Sequence, residues 1–110
     1  MKVIYIAGPY RGNIDVNIAK ARKMAVKLWE RGFIALCPHL NTANFEQDCW
    51  APEHTFLQGY LELLRRCDGI ILLKGWLASK GSVSEASLAD KLGMPVFHSL
   101  DQLLGHTWTD

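Results

Sequence analysis

No stretch of the 110-residue sequence approaches the roughly 20 consecutive apolar residues of a membrane-spanning helix. The first apolar run, Val3 to Ala7, stops at Gly8-Pro9 and is too short for the apolar region of a secretory signal. Charge of one sign is also missing. Twelve Lys and Arg against eleven Asp and Glu leave a formal charge of +1, so no basic field addresses duplex nucleic acid. Any anion this chain binds must be held locally. Cysteine is scarce: Cys37, Cys49 and Cys67 are odd in number and lack CxxC spacing. That excludes a disulfide frame and a zinc knuckle, and reads as reduced thiols in a cytoplasmic protein. His39, His54, His98 and His106 show no i, i+4 pairing, so neither a metal nor a cofactor is expected. Repeats, low-complexity segments and linkers are absent too, and the expectation is one domain over residues 1–110.

What is there has the balance of an ordinary globular chain, 49% hydrophobic and 21% charged. Val3 to Ala7 reads as a buried strand closed by Gly8-Pro9. Asn13 or Asp15 can cap a helix running to about Arg31, with Ile14, Ile18, Ala21, Ala25, Leu28 and Trp29 near one stripe and Gly32 ending it. Residues 33–37 form a second strand closed by Pro38. Residues 39–52 show no clean period and read as a long functional loop with room for a fifth strand. Residues 53–67 are helical, and 69–73 are a third strand, apolar throughout. A loop over 75–81, a helix over 82–92, a strand over 96–98 and a Ser99-capped helix over 100–104 complete the pattern. The tail from Gly105 is loose unless Trp108 docks it.

Strands alternating with helices imply right-handed βαβ units and an α/β fold, a parallel sheet of four to five strands with helices on both faces. One reversal of winding gives the order 2-1-3-4. Ligands in such sheets bind beyond the carboxyl ends of the strands at that reversal, which singles out the loops at 8–13, 39–52 and 75–84.

Gly8-Pro9-Tyr10-Arg11-Gly12 follows the first strand and enters a helix. Its glycines let an anion approach the backbone, and Arg11 adds a planar fork suited to phosphate. A tight turn with a solvated arginine explains the same residues equally well. Ser79-Lys80-Gly81-Ser82-Val83-Ser84-Glu85 opens the helix after the third strand. Ser79, Gly81 and Ser82 can present hydroxyls and amides to an anion, and Glu85 stands at the rim of the same cleft. A carboxylate there can attack an anomeric carbon or steady an oxocarbenium ion. Yet Ser82-x-x-Glu85 is also a capping box, in which Glu85 merely satisfies a backbone amide. Tyr5, Tyr10 and Trp76 can face or stack on a base, or simply pack. His39 follows the second strand and points to the cleft, or is a satisfied loop histidine. Asp68 lies at the opposite end of the sheet and reads as structural.

Taken together, Tyr-Ile-Ala-Gly-Pro-Tyr-Arg-Gly at residues 5–12, Cys-Asp-Gly-Ile-Ile-Leu-Leu at 67–73 and Gly-Trp-x2-Ser-Lys-Gly-Ser-x2-Glu-x3-Ala at 75–89 resemble a known family. It is a phage and bacterial branch, domain of unknown function 4406, of the nucleoside 2-deoxyribosyltransferase-like superfamily. The resemblance runs from about Lys2 to Phe97 and implies a flavodoxin-like sheet, a homo-oligomer and a glutamate nucleophile, which falls at Glu85. Related transferases carry an aspartate six residues before that glutamate, and the monophosphate hydrolases carry a serine. Ser79 matches the serine and implies a 5′-phosphorylated ligand. His39 resembles a histidine near the base in the hydrolase branch. One position departs: where the resemblance implies an aspartate in the second helix, this chain has Tyr60. Tyr60, His39, Glu46 or Asp48 are the candidates to replace it.

The reading is an N-glycoside hydrolase or deoxyribosyltransferase acting on a (deoxy)nucleoside 5′-monophosphate. Glu85 is its nucleophile, and Tyr5, Gly8, Pro9, Tyr10, Arg11, Gly12, His39, Trp76, Ser79, Gly81 and Ser82 are its binding residues. The alternative is a non-catalytic nucleotide-binding or sensing module using the same cleft, and a scaffold without ligand is a third. The expected partners are a small nucleotide and further copies of the chain, in a dimer or larger even-numbered oligomer, with Trp50, Phe56 and Tyr60 as interface candidates.

Overall fold

The computed structural model describes residues 1–109. Its centre is a four-stranded parallel sheet in the order β2-β1-β3-β4, formed by Val3–Ala7, Ile34–Leu36, Gly69–Leu72 and Val96–Phe97 taken in chain order. Pairing sets Tyr5 opposite Leu36 on one side and Ile70 on the other, and continues to Ala7 opposite Leu72. The architecture is α/β and flavodoxin-like. No fifth strand forms among the described residues.

Side chains of successive strand residues leave on opposite faces, and β1 divides its contacts accordingly. Ile4 and Ile6 join Ile71 and Phe97 in one core, covered by Ala21, Ala25 and Leu28 of α1 (Ile14–Glu30). Tyr5 and Ala7 join Ile70 and Leu72 in a second core on the other face. That core is covered by Tyr60 and Leu64 of α3 (Glu53–Leu64) and Ala89 of α4 (Lys80–Lys91). Both faces are dry, which is why the strands read as continuous apolar runs. The odd-numbered side chains of β1 therefore look toward α3 and α4.

Asn13 caps α1, its side chain accepting from the Val16 amide. Trp29 lies at the margin of the α1 stripe and stays half exposed. The segment expected to be structureless contains α2 (Pro38–Asn41) and a 3-10 turn at Phe45–Gln47. Proline at the first position of α2 fits there because that amide needs no helical partner. Helix α3 ends at Leu64, shorter than the run to Cys67 that hydrophobicity suggests. Asp68 accepts the Val3 amide at 2.8 Å and fastens the amino end of β1 to β3. Ser99 caps α5 (Leu100–Leu104). The tail docks through Trp108, stacked edge-on with His106 and Phe97, with the Lys2 ammonium over its ring. Asp110, the last residue of that tail, lies outside the described residues.

Candidate functional site

Loops leaving β1, β2 and β3 at their carboxyl ends enclose a cavity of about 520 Å³. Its walls come from Gly8 to Arg11 after β1, Pro38 and His39 after β2, and Ala78 to Ser82 after β3, with Glu85 behind them. Phe56, Leu57 and Tyr60 of α3 supply an apolar side. Gly8 is fixed by contact: a Cβ there would sit 2.8 Å from Leu73 Cβ, so a larger residue would push the loops after β1 and β3 apart.

Local chemistry explains where Glu85 points. Helix α4 begins three residues earlier than the Ser-x-x-Glu pattern suggests, because Ser79 is its N-cap and accepts the Ser82 amide at 3.2 Å. Glu85 is thereby displaced from the capping position to the second turn of the helix, so the capping-box arrangement does not form. Its carboxylate instead accepts the Tyr5 hydroxyl, which arrives from the α4-facing side of β1. Tyr5 is completely buried and Glu85 is 8% exposed. Burial raises the Glu85 carboxyl to about 7, and the Tyr5 hydrogen bond works against that rise. Burial, then the Glu85 charge, pushes the Tyr5 phenol far above its ordinary value, so Tyr5 remains a donor throughout the physiological range.

The first turn of α4 forms the adjoining wall. Ser82 is buried with its hydroxyl unpartnered, and the amides at the first two positions of a helix have no partner within it. Across the cavity, His39 Nε2 donates to the Pro9 carbonyl at 2.8 Å, while Nδ1 is buried without a hydrogen-bond partner. Burial lowers the His39 pKa and keeps the ring neutral at pH 7. Tyr10 stacks edge-on against it. The Tyr10 hydroxyl accepts the Asn44 amide at 2.8 Å and meets the Glu46 carboxylate at 3.0 and 3.1 Å. Arg11 turns its Nε to Glu53 at 3.2 Å.

Of the residues singled out from sequence, Gly8, Pro9, Tyr10, Arg11, His39, Ser79, Gly81, Ser82 and Glu85 line this cavity. Tyr5 lies beneath it, bonded to Glu85 and packed edge-on against Tyr60. Gly12 and Trp76 do not line it. Gly12, at a positive φ of 95°, borders a neighbouring depression with Asn13 and Asp15. Trp76 packs against the second core and beside His98. Tyr60 is a core residue rather than an exposed interface residue. Its hydroxyl accepts from Asn41 at 2.9 Å and donates to Thr42 at 3.1 Å, which clamps α2 onto α3. Asp48 does not line the cavity, and Glu46 does. Sequence reasoning overlooked Glu53 and the Asn41–Tyr60–Thr42 chain. The signal available for Glu53 was a carboxylate at the start of an apolar helix. Among the described residues no cluster of three or more His, Cys, Asp or Glu is placed to hold a metal, and the three cysteines are free. No described helix is long and apolar enough to cross a membrane.

The fold has solved relatives. A 2-desoxiribosyltransferase from Leishmania mexicana superposes with a TM-score of 0.66 at 21% identity, covering 100% of this chain and 75% of that one. A conserved protein from Enterococcus faecalis V583 superposes at 0.67 with 23% identity, covering 87% of this chain and 61% of the other. This chain thus spans less than two thirds of the Enterococcus protein. Likeness at such identities is likeness of fold. No curated protein matches the sequence. A family model for a domain of unknown function, DUF4406, matches residues 2–98, nearly the whole chain. The chain belongs to the DUF4406 family and carries the nucleoside 2-deoxyribosyltransferase-like fold.

Proposed function

We propose that this protein cleaves or transfers the N-glycosidic bond of a (deoxy)nucleoside 5′-monophosphate, with Glu85 as nucleophile. The observation that carries the proposal is the Glu85 carboxylate, buried at a sheet's carboxyl edge beside a nucleotide-sized cavity and held by Tyr5 instead of capping its helix. A Glu85 oxygen forms a bond to C1′ as the bond from C1′ to the base nitrogen breaks, its electron pair leaving with the base. Water then attacks C1′ and yields its proton to the departed base, releasing the carboxylate and the sugar phosphate, or a second base attacks and gives up its ring-nitrogen proton in a transfer. The helix start at Lys80 to Ser82 and the Arg11 guanidinium receive the phosphate. The apolar wall of Phe56 and Leu57 is suited to the flat face of a base.

A second reading, a nucleotide-binding module without turnover, is favoured by one observation. Tyr60 stands where the resemblance implies an aspartate, and its hydroxyl is engaged by Asn41 and Thr42 in both directions. Incubation with ribo- and deoxynucleoside monophosphates, followed by chromatography for free base, separates the two. Base release establishes the enzyme. Binding by calorimetry with no release from any nucleotide establishes the module.

A further inference from the structure

We infer that Glu53 is an internal counter-anion of this cavity, occupying Arg11 until the phosphate of an incoming ligand displaces it and so setting how strongly the site prefers phosphorylated ligands. The inference rests on the proposed nucleotide site for the rest of the ligand. The anion chemistry itself stands on separate observations.

Arg11 and Glu53 both line the cavity, and Arg11 Nε donates to Glu53 Oε1 at 3.2 Å between the loop after β1 and the first helical residue of α3. The cap residue of α3 is Pro52, which makes no side-chain cap bond, so Glu53 is the carboxylate that answers the positive end of that helix. The pair is open to water, with side chains 65% and 78% exposed. Exposed pairs of this kind are weak and exchange readily. A phosphate brings more charge than a carboxylate, and its oxygens match the guanidinium fork. The anion that replaces Glu53 enters a cavity also lined by the start of α4 and by Ser82, whose buried hydroxyl is unpartnered. Tyr10, the other side-chain donor of the first loop, is likewise engaged by a carboxylate of this chain, Glu46. The Arg11 Nε and the Tyr10 hydroxyl are therefore each engaged by a carboxylate, and a phosphate approaching this loop meets two competitors. Neutral ligands meet no such competition.

Calorimetric titration of wild type, Glu53→Gln, Arg11→Gln and the double variant with inorganic phosphate tests this, with a nucleoside 5′-monophosphate and its nucleoside as further probes. Removing the competitor should tighten phosphate and monophosphate about threefold, the scale of an exposed ion pair. The gain should shrink as salt is raised and vanish in the double variant. Circular dichroism checks that each variant is folded. Phosphate affinity equal in wild type and Glu53→Gln, including no binding by either, overturns the inference. So does a gain that persists without Arg11. If phosphate responds as stated but no nucleotide binds, the nucleotide reading falls and the counter-anion stands. If nucleotides bind but neither they nor phosphate respond to Glu53→Gln, the reverse holds.

Discussion

Burial raises the Glu85 carboxyl from the ordinary 4.5 to about 7, and that shift has a sign in stability. Below pH 4.5 the folded and unfolded chains both hold the proton. Between 4.5 and 7 the unfolded chain releases it first, so folding becomes less favourable as pH rises, by on the order of 3 kcal/mol once pH exceeds 7. Glu85→Gln keeps an acceptor for Tyr5 and removes the charge. Its melting temperature should exceed that of wild type at pH 8, with the difference closing toward pH 5 in paired thermal melts. The same variant should lose base release by on the order of a thousandfold while still binding nucleotide, since an amide cannot form the bond to C1′. Retention of most of the rate would remove Glu85 from the mechanism. Tyr5→Phe tests the partner. The Tyr5 hydrogen bond favours the ionised carboxylate, so its loss should move the inflection of the pH–rate profile above that of wild type and lower the rate at pH 7.

Helix α4 carries both the cap and the carboxylate, and its starting residue decides which does what. Ser79→Ala removes the acceptor of the Ser82 amide and should lower stability by about 1 kcal/mol in urea unfolding. Ser82→Ala removes an unpartnered hydroxyl and should leave stability nearly unchanged. If Ser82 caps the helix instead, the two variants exchange effects. Element by element, legibility followed hydrophobic period. Strands β1 and β3 and helix α1 were readable because their apolar residues are buried on both faces or along one stripe. Helix α2 was not, since four residues make one turn and no stripe, and its anchors are Pro38 and the polar Tyr60–Thr42 contact. The α4 start was misplaced because Ser79 and Ser82 are equivalent in type and only the second is followed by a glutamate at capping distance. The cavity's loops were legible from topology. Which of their residues line it was not: Gly12 and Trp76 lie in the right segments, but Gly12 borders the neighbouring depression and Trp76 packs against the second core.

At the scale of the molecule, the cavity is bordered by exposed apolar surface. Trp50 is 94% exposed between Cys49 and Ala51, both of which line the cavity, and Phe45 is half exposed nearby. Leu77 is largely exposed beside Ala78. We propose that further copies of the chain cover this rim, and light scattering at micromolar concentration should report an even-numbered oligomer. A monomer would leave the rim to another explanation. The sheet order has a consequence in time. β1 is central and pairs with β3, so its second edge stays open until residues 69–72 exist as chain. The hydrogen bond between Tyr5 and Glu85 then closes across 80 positions of sequence. Contacts so distant along a chain form late, after the loops between them have lost their freedom. During synthesis from the amino end, α1 can wind and β2 can pair while the pocket does not yet exist. The chemistry of the cavity therefore waits for the chain as far as α4, and a copy whose α4 has not docked on β1 carries none of it.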